Sequence, residues 1–235
     1  FIVGMPRSGS TLLASILSMK KGSVDLGEPS AMGQAIAQLN HQASGTLDGL
    51  YRARLDELPL LEQPSQAAIT IDKSVYNFIH CNVILDLIPN AKVIHSRRNP
   101  LDNILSMLRA RMVSPQNYCS DVVDAAEVII AQEQAMLGFK ERYGERIFTN
   151  NYEQLTQTPE HHIRTLLSWL GWPWDERYLN HHRKDRLIFN ASAIQARNPI
   201  NSRSVQGWRR YADLLEPARQ CLISSGLFDS ADLTA

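Results

Sequence analysis

Phe1-Ile2-Val3-Gly4-Met5-Pro6-Arg7-Ser8-Gly9-Ser10-Thr11-Leu12-Leu13-Ala14-Ser15-Ile16-Leu17 opens the chain and decides how the rest of it is read. The first five residues are a short apolar run, the pattern of a buried parallel strand. A turn of small residues follows, and from Thr11 to Leu17 the apolar positions take helical spacing. Gly4, four residues, Gly9 and then Ser10-Thr11 make the frame of a P-loop, with Ser10 where lysine would stand. The glycines let backbone N–H groups turn inward, and a helix N-terminus adds partial positive charge, so the loop is built to cradle an anion. With no lysine and with Arg7 inside the loop, Ser8, Gly9, Ser10 and Thr11 fit a MgATP-hydrolysing site poorly. The fork of Arg7 suits a tetrahedral oxyanion. Taken alone, the loop also reads as a tight strand-to-helix turn holding no ligand.

Outward from this unit, strands and helices alternate. Glu28 to Leu61 reads as mainly helical, with Leu39, Leu47, Leu50 and Leu55 as candidate buried positions. Ala67–Lys73 is a second strand ending in two charges, and Phe78–Leu87 an amphipathic helix stopped by Pro89. Ala91–Arg98 is a third strand, followed by a helix from Leu101 to about Met112. A long helix covers Val122–Tyr143, Arg146–Asn150 is a fourth strand, and His161–Leu170 a further helix closed by Gly171 and Pro173. Residues 190–204 lack periodicity and read as a loop. The alternation predicts an α/β fold, a single three-layer domain over residues 1–235 whose central parallel sheet is flanked by helices.

Composition narrows the function classes. Of 235 residues 44% are hydrophobic and 20% charged, an ordinary balance for a globular protein. Lys+Arg and Asp+Glu both count 24, which argues against a broad nucleic-acid footprint but allows a local cationic pocket. No apolar run is long enough to span a membrane, and no signal-peptide pattern is present. Phe1 enters a strand directly, so further chain, including another domain or a targeting segment, is expected to precede it. Cys81, Cys119 and Cys221 are odd in number and widely spaced, reading as thiols rather than a disulfide or zinc framework. A cytoplasmic location is the resulting expectation, or the Golgi lumen if a targeting segment has been removed.

A second anion site follows the third strand. Arg97-Arg98-Asn99-Pro100 stands at a strand's carboxyl end, the edge where open α/β sheets bind ligands. Ser106 lies eight residues beyond Arg98 on the next helix, and a loop arginine and a helix hydroxyl can converge on one phosphate. Read singly, these are also solvated arginines and a buried serine. Two anion sites together suit a nucleotide phosphorylated at both its 5′ and 3′ positions.

Here the chain resembles a known family. Pro6 to Leu12 is similar to the 5′-phosphosulfate loop of sulfotransferases that use 3′-phosphoadenosine 5′-phosphosulfate (PAPS). Arg98 through Ser106 is similar to their 3′-phosphate motif, in the same order and separation. The resemblance runs from Phe1 to about Pro217, and is closest to tyrosylprotein sulfotransferases and the bacterial enzymes that often follow tetratricopeptide repeats. It implies a P-loop-like fold, PAPS as co-substrate with no metal, and an acceptor hydroxyl on a small molecule, sugar or peptide tyrosine.

The residue roles follow partly from chemistry and partly from that resemblance. Sulfuryl transfer needs cations around the peripheral and leaving oxygens and a base for the acceptor proton. Arg7 suits the sulfuryl end. Lys73 matches the lysine that neutralises the bridging oxygen in the tyrosylprotein family, although a surface lysine paired with Asp72 is the plainer reading. Gly27-Glu28 stands at the spacing of the family's Gly-Glu pair, which makes Glu28 the expected base. A carboxylate near pKa ~4.3 is ionised at neutral pH and ready to accept a proton. His80, His95, His161, His162, His181 and His182 carry no comparable match. Tyr152 matches a tyrosine that approaches the nucleotide, and Ser204 a late loop that closes over the phosphate, with Trp208 anchoring that loop in the core. One position departs: where the tyrosylprotein relatives carry a further arginine, twelve residues after the first, this chain has Ala110 between Arg109 and Arg111. A small P-loop kinase and a non-catalytic nucleotide-binding module are the alternatives. The missing lysine argues against the first, and the joint presence of Arg7, Glu28 and Lys73 against the second.

Overall fold

The computed structural model describes residues 1–41, 45–58, 64–110, 117–183 and 198–234. Strand β1 (Ile2–Gly4) leads through the quoted loop into helix α1 (Ser10–Leu17). Then come β2 (Ser23–Gly27), α2 (Ala31–His41), α3 (Leu47–Asp56), β3 (Ile69–Asp72), α4 (Cys81–Leu87), β4 (Val93–Arg97) and α5 (Pro100–Ala110). The long α6 (Val122–Tyr143), β5 (Ile147–Asn151), α7 (Tyr152–Gln157), α8 (Pro159–Leu170) and α9 (Ala212–Ser225) complete the order.

All strand pairings among the described residues are parallel, as the alternation predicts. They fall into two hydrogen-bonded sets, β1-β4-β5 and β2-β3. In the first, Ile2, Val3 and Gly4 lie against Ile94, His95 and Ser96, and β4 in turn lies against Ile147 to Asn151. Because side chains alternate across a strand, Ile2 and Ile94 face α1 and α8 through Leu13, Ile16, Ile163 and Leu166. Val3, Val93 and Ile147 face the other way, into a core with α4 and Met136 of α6. The central parallel sheet is thereby covered by helices on both faces. A third apolar cluster joins α5, α6 and α9 around the buried Trp208.

Strand β2 is absent from the sequence expectation. Among its residues Ser23-Val24-Asp25-Leu26-Gly27 only Leu26 is buried, so the apolar signal is two alternating positions and no more. Helices α7 and α9 also go beyond it, and α8 begins at Pro159, where proline suits a first helical turn. The expected helix over Phe78–Leu87 is split into a 3-10 segment, Val75–His80, and α4. The expected ends of two helices, Leu61 and Met112, and most of the 190–204 loop lie outside the described residues. Helix α6 matches its expected bounds, with Asp121 accepting from the amides of Val123 and Asp124. Cys81 and Cys119 are buried free thiols, and Cys221 is partly exposed. No helix among the described residues is long and apolar enough to cross a membrane.

Candidate active site

Every residue singled out from the sequence, apart from Ser106 on α5 and Ser204 in the late loop, follows the carboxyl end of a strand. The loop after β1 is held in place from outside. The amide of Asn103 on α5 donates to the Pro6 carbonyl at 2.7 Å, Arg98 Nη1 to the Arg7 carbonyl at 3.0 Å, and Ser96 Oγ to the Ser8 carbonyl at 3.3 Å. A trans peptide unit points its N–H opposite to its C=O. Tying these carbonyls to β4, Arg98 and α5 therefore turns the amides of Arg7 and Gly9 the other way, with the N-terminus of α1 beside them, while the Ser8 amide donates to the Met5 carbonyl at 3.3 Å. Two glycines are required here by space. A Cβ on Gly4 would stand 2.5 Å from the Ser96 carbonyl oxygen, and one on Gly9 2.5 Å from the Tyr152 ring. Both also have positive φ, as does Arg7 at 66°.

Arg7 reaches across to α5, where its Nε donates to Ser106 Oγ at 3.2 Å. Arg98 lies 4.7 Å from the centre of the Tyr152 ring, and its Nη2 donates to the Ser204 carbonyl at 2.8 Å. Arg7, Gly9, Thr11, Arg98, Ser106, Tyr152 and Ser204 thus line one cleft of about 240 Å³. A second cleft of about 350 Å³ shares Arg7, Arg98, Ser106, Arg203 and Ser204 with the first and adds Arg109 and Arg210. Burial, with the like charge of Arg98 second, pushes the Arg7 guanidinium below its usual range. Two polar atoms here are buried without a hydrogen-bond partner, Arg98 Nε and Ser8 Oγ. Crowded guanidinium groups with an unmet donor are the electrostatic signature of a site for an anion.

Glu28 and Lys73 are brought together with each other instead. Lys73 Nζ pairs with Glu28 Oε1; the lysine side chain is buried and the glutamate about half exposed. The two strand ends are joined by the Lys73 amide donating to the Gly27 carbonyl at 2.9 Å and Ser74 Oγ to the Pro29 carbonyl at 2.7 Å. Neither side chain is among those lining the two arginine clefts. Asp72, the partner in the plainer reading of Lys73, is taken up by the Tyr51 hydroxyl at 2.8 Å and the Ser74 amide at 2.9 Å. Burial raises the Asp72 carboxyl above its usual range.

His95 and His162 are engaged elsewhere. His95 sits within β4, its Nε2 2.9 Å from Gln132 Nε2, and burial pushes its pKa down to about 4. His162 Nε2 lies 3.0 Å from Asn150 Oδ1. Arg109 donates to the Tyr211 hydroxyl at 2.8 Å, whereas Arg111 lies outside the described residues. Sequence reasoning missed Ser96, Asp102 and Asn103. The last two stand inside the Arg98–Ser106 stretch, and only the approach of distant loops gives them partners. Trp208, expected to anchor the late loop, is 1% exposed in the core.

The profile of the group described as the Sulfotransferase family matches residues 1–176. An uncharacterized protein of Aquifex aeolicus is 28% identical over 94% of this chain and 32% of its own length. Protein-tyrosine sulfotransferase A of Caenorhabditis elegans is 25% identical over 88% of this chain and 60% of its own. The chain therefore spans less than two thirds of the length of either curated relative. Among solved structures, the sulfotransferase domain from the Synechococcus PCC 7002 olefin synthase superposes with a TM-score of 0.69 at 25% identity, covering 97% of this chain and 94% of that one.

Proposed function

This chain belongs to the sulfotransferase family, and on that premise we propose that it transfers the sulfuryl group of PAPS to an acceptor hydroxyl by direct in-line displacement. The observation that carries the reading is the meeting of Arg7, Arg98 and Ser106 beside a loop whose carbonyls are tied back. Such a cleft offers charge to a 5′-phosphosulfate and a 3′-phosphate at once, and its buried, unpartnered Arg98 Nε and Ser8 Oγ are met when anionic oxygens enter.

In this reading the amides of Gly9 to Thr11 and the Ser8 hydroxyl hold the 5′-phosphosulfate, Arg98, Ser106 and Ser204 the 3′-phosphate, and Tyr152 the nucleoside. Arg7 turns from Ser106 toward the sulfuryl oxygens. The acceptor oxygen attacks sulfur, a new S–O bond forms, and the bridging bond to the 5′-phosphate breaks. The leaving electron pair stays on the phosphate oxygen of adenosine 3′,5′-bisphosphate, where Lys73 neutralises it. Glu28 takes the acceptor's proton. Charge builds at fixed positions, so catalysis rests on preorganised cations. The acceptor is an alcohol or phenol hydroxyl, and a screen of acceptor classes with labelled PAPS identifies it.

The reading is tested without knowing the acceptor. Adenosine 3′,5′-bisphosphate at a hundredfold excess over its Kd is expected to stabilise the fold by about 2.7 kcal/mol. That is a rise in Tm of about 5–10 °C, unchanged by EDTA. ATP with magnesium is expected to do distinctly less. A large magnesium-dependent shift with ATP and none with the bisphosphate would overturn the reading in favour of a phosphotransferase.

Arg98→Ala separates the two anion sites. It is expected to weaken bisphosphate binding by about tenfold or more, the loss of a charge-assisted contact of about 1.5–3 kcal/mol. Adenosine 5′-phosphosulfate, which lacks the 3′-phosphate, should bind nearly as before when both are titrated calorimetrically. Equal losses for both nucleotides would mean that Arg98 acts only through its bonds to Arg7 and Ser204.

A further inference from the structure

We propose that Asp102 is a positioning residue of the nucleotide site, fixing the 204–208 loop beside Arg98 before any nucleotide arrives. The inference rests on the PAPS reading above. Asp102 stands in the first turn of α5 and is 2% exposed. Its Oδ2 accepts from the Gln206 amide at 2.6 Å and its Oδ1 from the Trp208 amide at 2.9 Å. Arg98 Nη2 meanwhile donates to the Ser204 carbonyl at 2.8 Å. Arg98 and the first turn of α5 together therefore grip the late loop at three alternate residues, 204, 206 and 208.

The chemistry requires a carboxylate. Two amide donors converge on one side chain, and only two acceptor oxygens meet both. An asparagine would answer one of them and turn its own N–H groups on the other, leaving a buried donor unmet. The grip also has something to hold. Gln206 has a φ of 58°, a left-handed conformation that is costly for a side chain with a Cβ, and its bond to Asp102 supports it. On the far side Trp208 is packed in the core. Along this stretch Arg203, Ser204 and Gly207 line the arginine cleft together with Arg98 and Ser106. A loop set in advance does not have to be ordered by the ligand, and the ligand binds more tightly by that difference.

Asp102→Asn tests this, with calorimetric titration of adenosine 3′,5′-bisphosphate and of adenosine 5′-phosphosulfate. The bisphosphate Kd is expected to rise by about tenfold, while the Kd of the phosphosulfate changes by less than about threefold. Amide exchange supplies a reading that does not depend on the variant folding. In the nucleotide-free wild type the Gln206 and Trp208 amides are expected to exchange slowly. In Asp102→Asn they should exchange faster while amides of β4 keep their protection. Fast exchange of both amides in the wild type would overturn the proposal, as would equal losses for the two nucleotides or an unchanged bisphosphate Kd. A wild-type protein that binds no bisphosphate overturns the PAPS reading and this role with it. Wild-type binding matched by the variant overturns this role alone.

Discussion

Replacing Glu28 with glutamine is expected to lower kcat by about 10²- to 10⁴-fold and to leave bisphosphate binding within a fewfold of the wild type. The substitution keeps the shape of the side chain and an oxygen for Lys73, so the ion pair becomes a neutral acceptor bond. It removes the capacity to hold the acceptor's proton as the S–O bond forms. Because Glu28 is about half exposed, losing its charge should cost the fold little. Single-turnover transfer from labelled PAPS, beside a calorimetric Kd for the bisphosphate, separates chemistry from binding. Near-normal turnover would remove Glu28 from the role. The search would then return to the histidines, among which His95 is a poor prospect: it is buried in β4, held to Gln132, and neutral down to about pH 4.

Lys73→Met is expected to lower kcat by about 10²- to 10³-fold, the cost of removing one preorganised group from a developing oxyanion. Bisphosphate affinity should fall by less than about tenfold, because Arg7, Arg98 and Ser106 line their cleft without the lysine. Methionine has a similar length and suits a side chain that is 3% exposed, so the fold is expected to survive. Glu28, left without its partner, is exposed enough for water to replace it. Lys73→Arg should not rescue turnover, because a planar fork does not fit where a compact ammonium is enclosed. Retention of turnover within about tenfold of the wild type by Lys73→Met would exclude Lys73 from the reaction. The two substitutions test one ion pair from both sides. If both residues act as assigned, the double variant should lose less than the two single losses combined, since the side chains are in contact and act as a unit.

Much of the fold is written locally. Phe1 to Leu17 carries its own strand, loop and helix, because an apolar run, two glycines and a helical repeat each dictate backbone conformation within a few residues. The Arg98–Ser106 spacing is local in the same sense, since a helix sets where its seventh residue, Ser106, stands relative to its start. Strand β2 escaped because Val24 and Leu26 are its only apolar positions, and its ladder is completed by β3, more than forty residues later. The 3-10 start before α4 was hidden for a related reason. Its residues keep helical spacing, and tertiary packing tightened the first turns.

The chemistry-bearing residue types, and their order along the chain, were determined by the sequence alone: an anion loop with serine at the lysine position and Arg7 inside it, a glutamate after Gly27, a lysine at a strand end, and a second arginine followed by a serine. Their relations were decided only by the tertiary structure. Nothing in the order of residues says that Glu28 pairs with Lys73 and that Asp72 turns to Tyr51. Nor does it say that Ser96, Arg98 and Asn103 tie back three loop carbonyls about ninety residues upstream, or that Asp102 holds the amides of Gln206 and Trp208. Those bonds exist because β1 and β4 lie parallel in one register and bring the loop, the start of α5 and the late loop to the same edge. Local patterns specify periodicity. Which partner a buried polar group finds depends on how strands are ordered in the sheet, and that is settled by burial summed over the whole core.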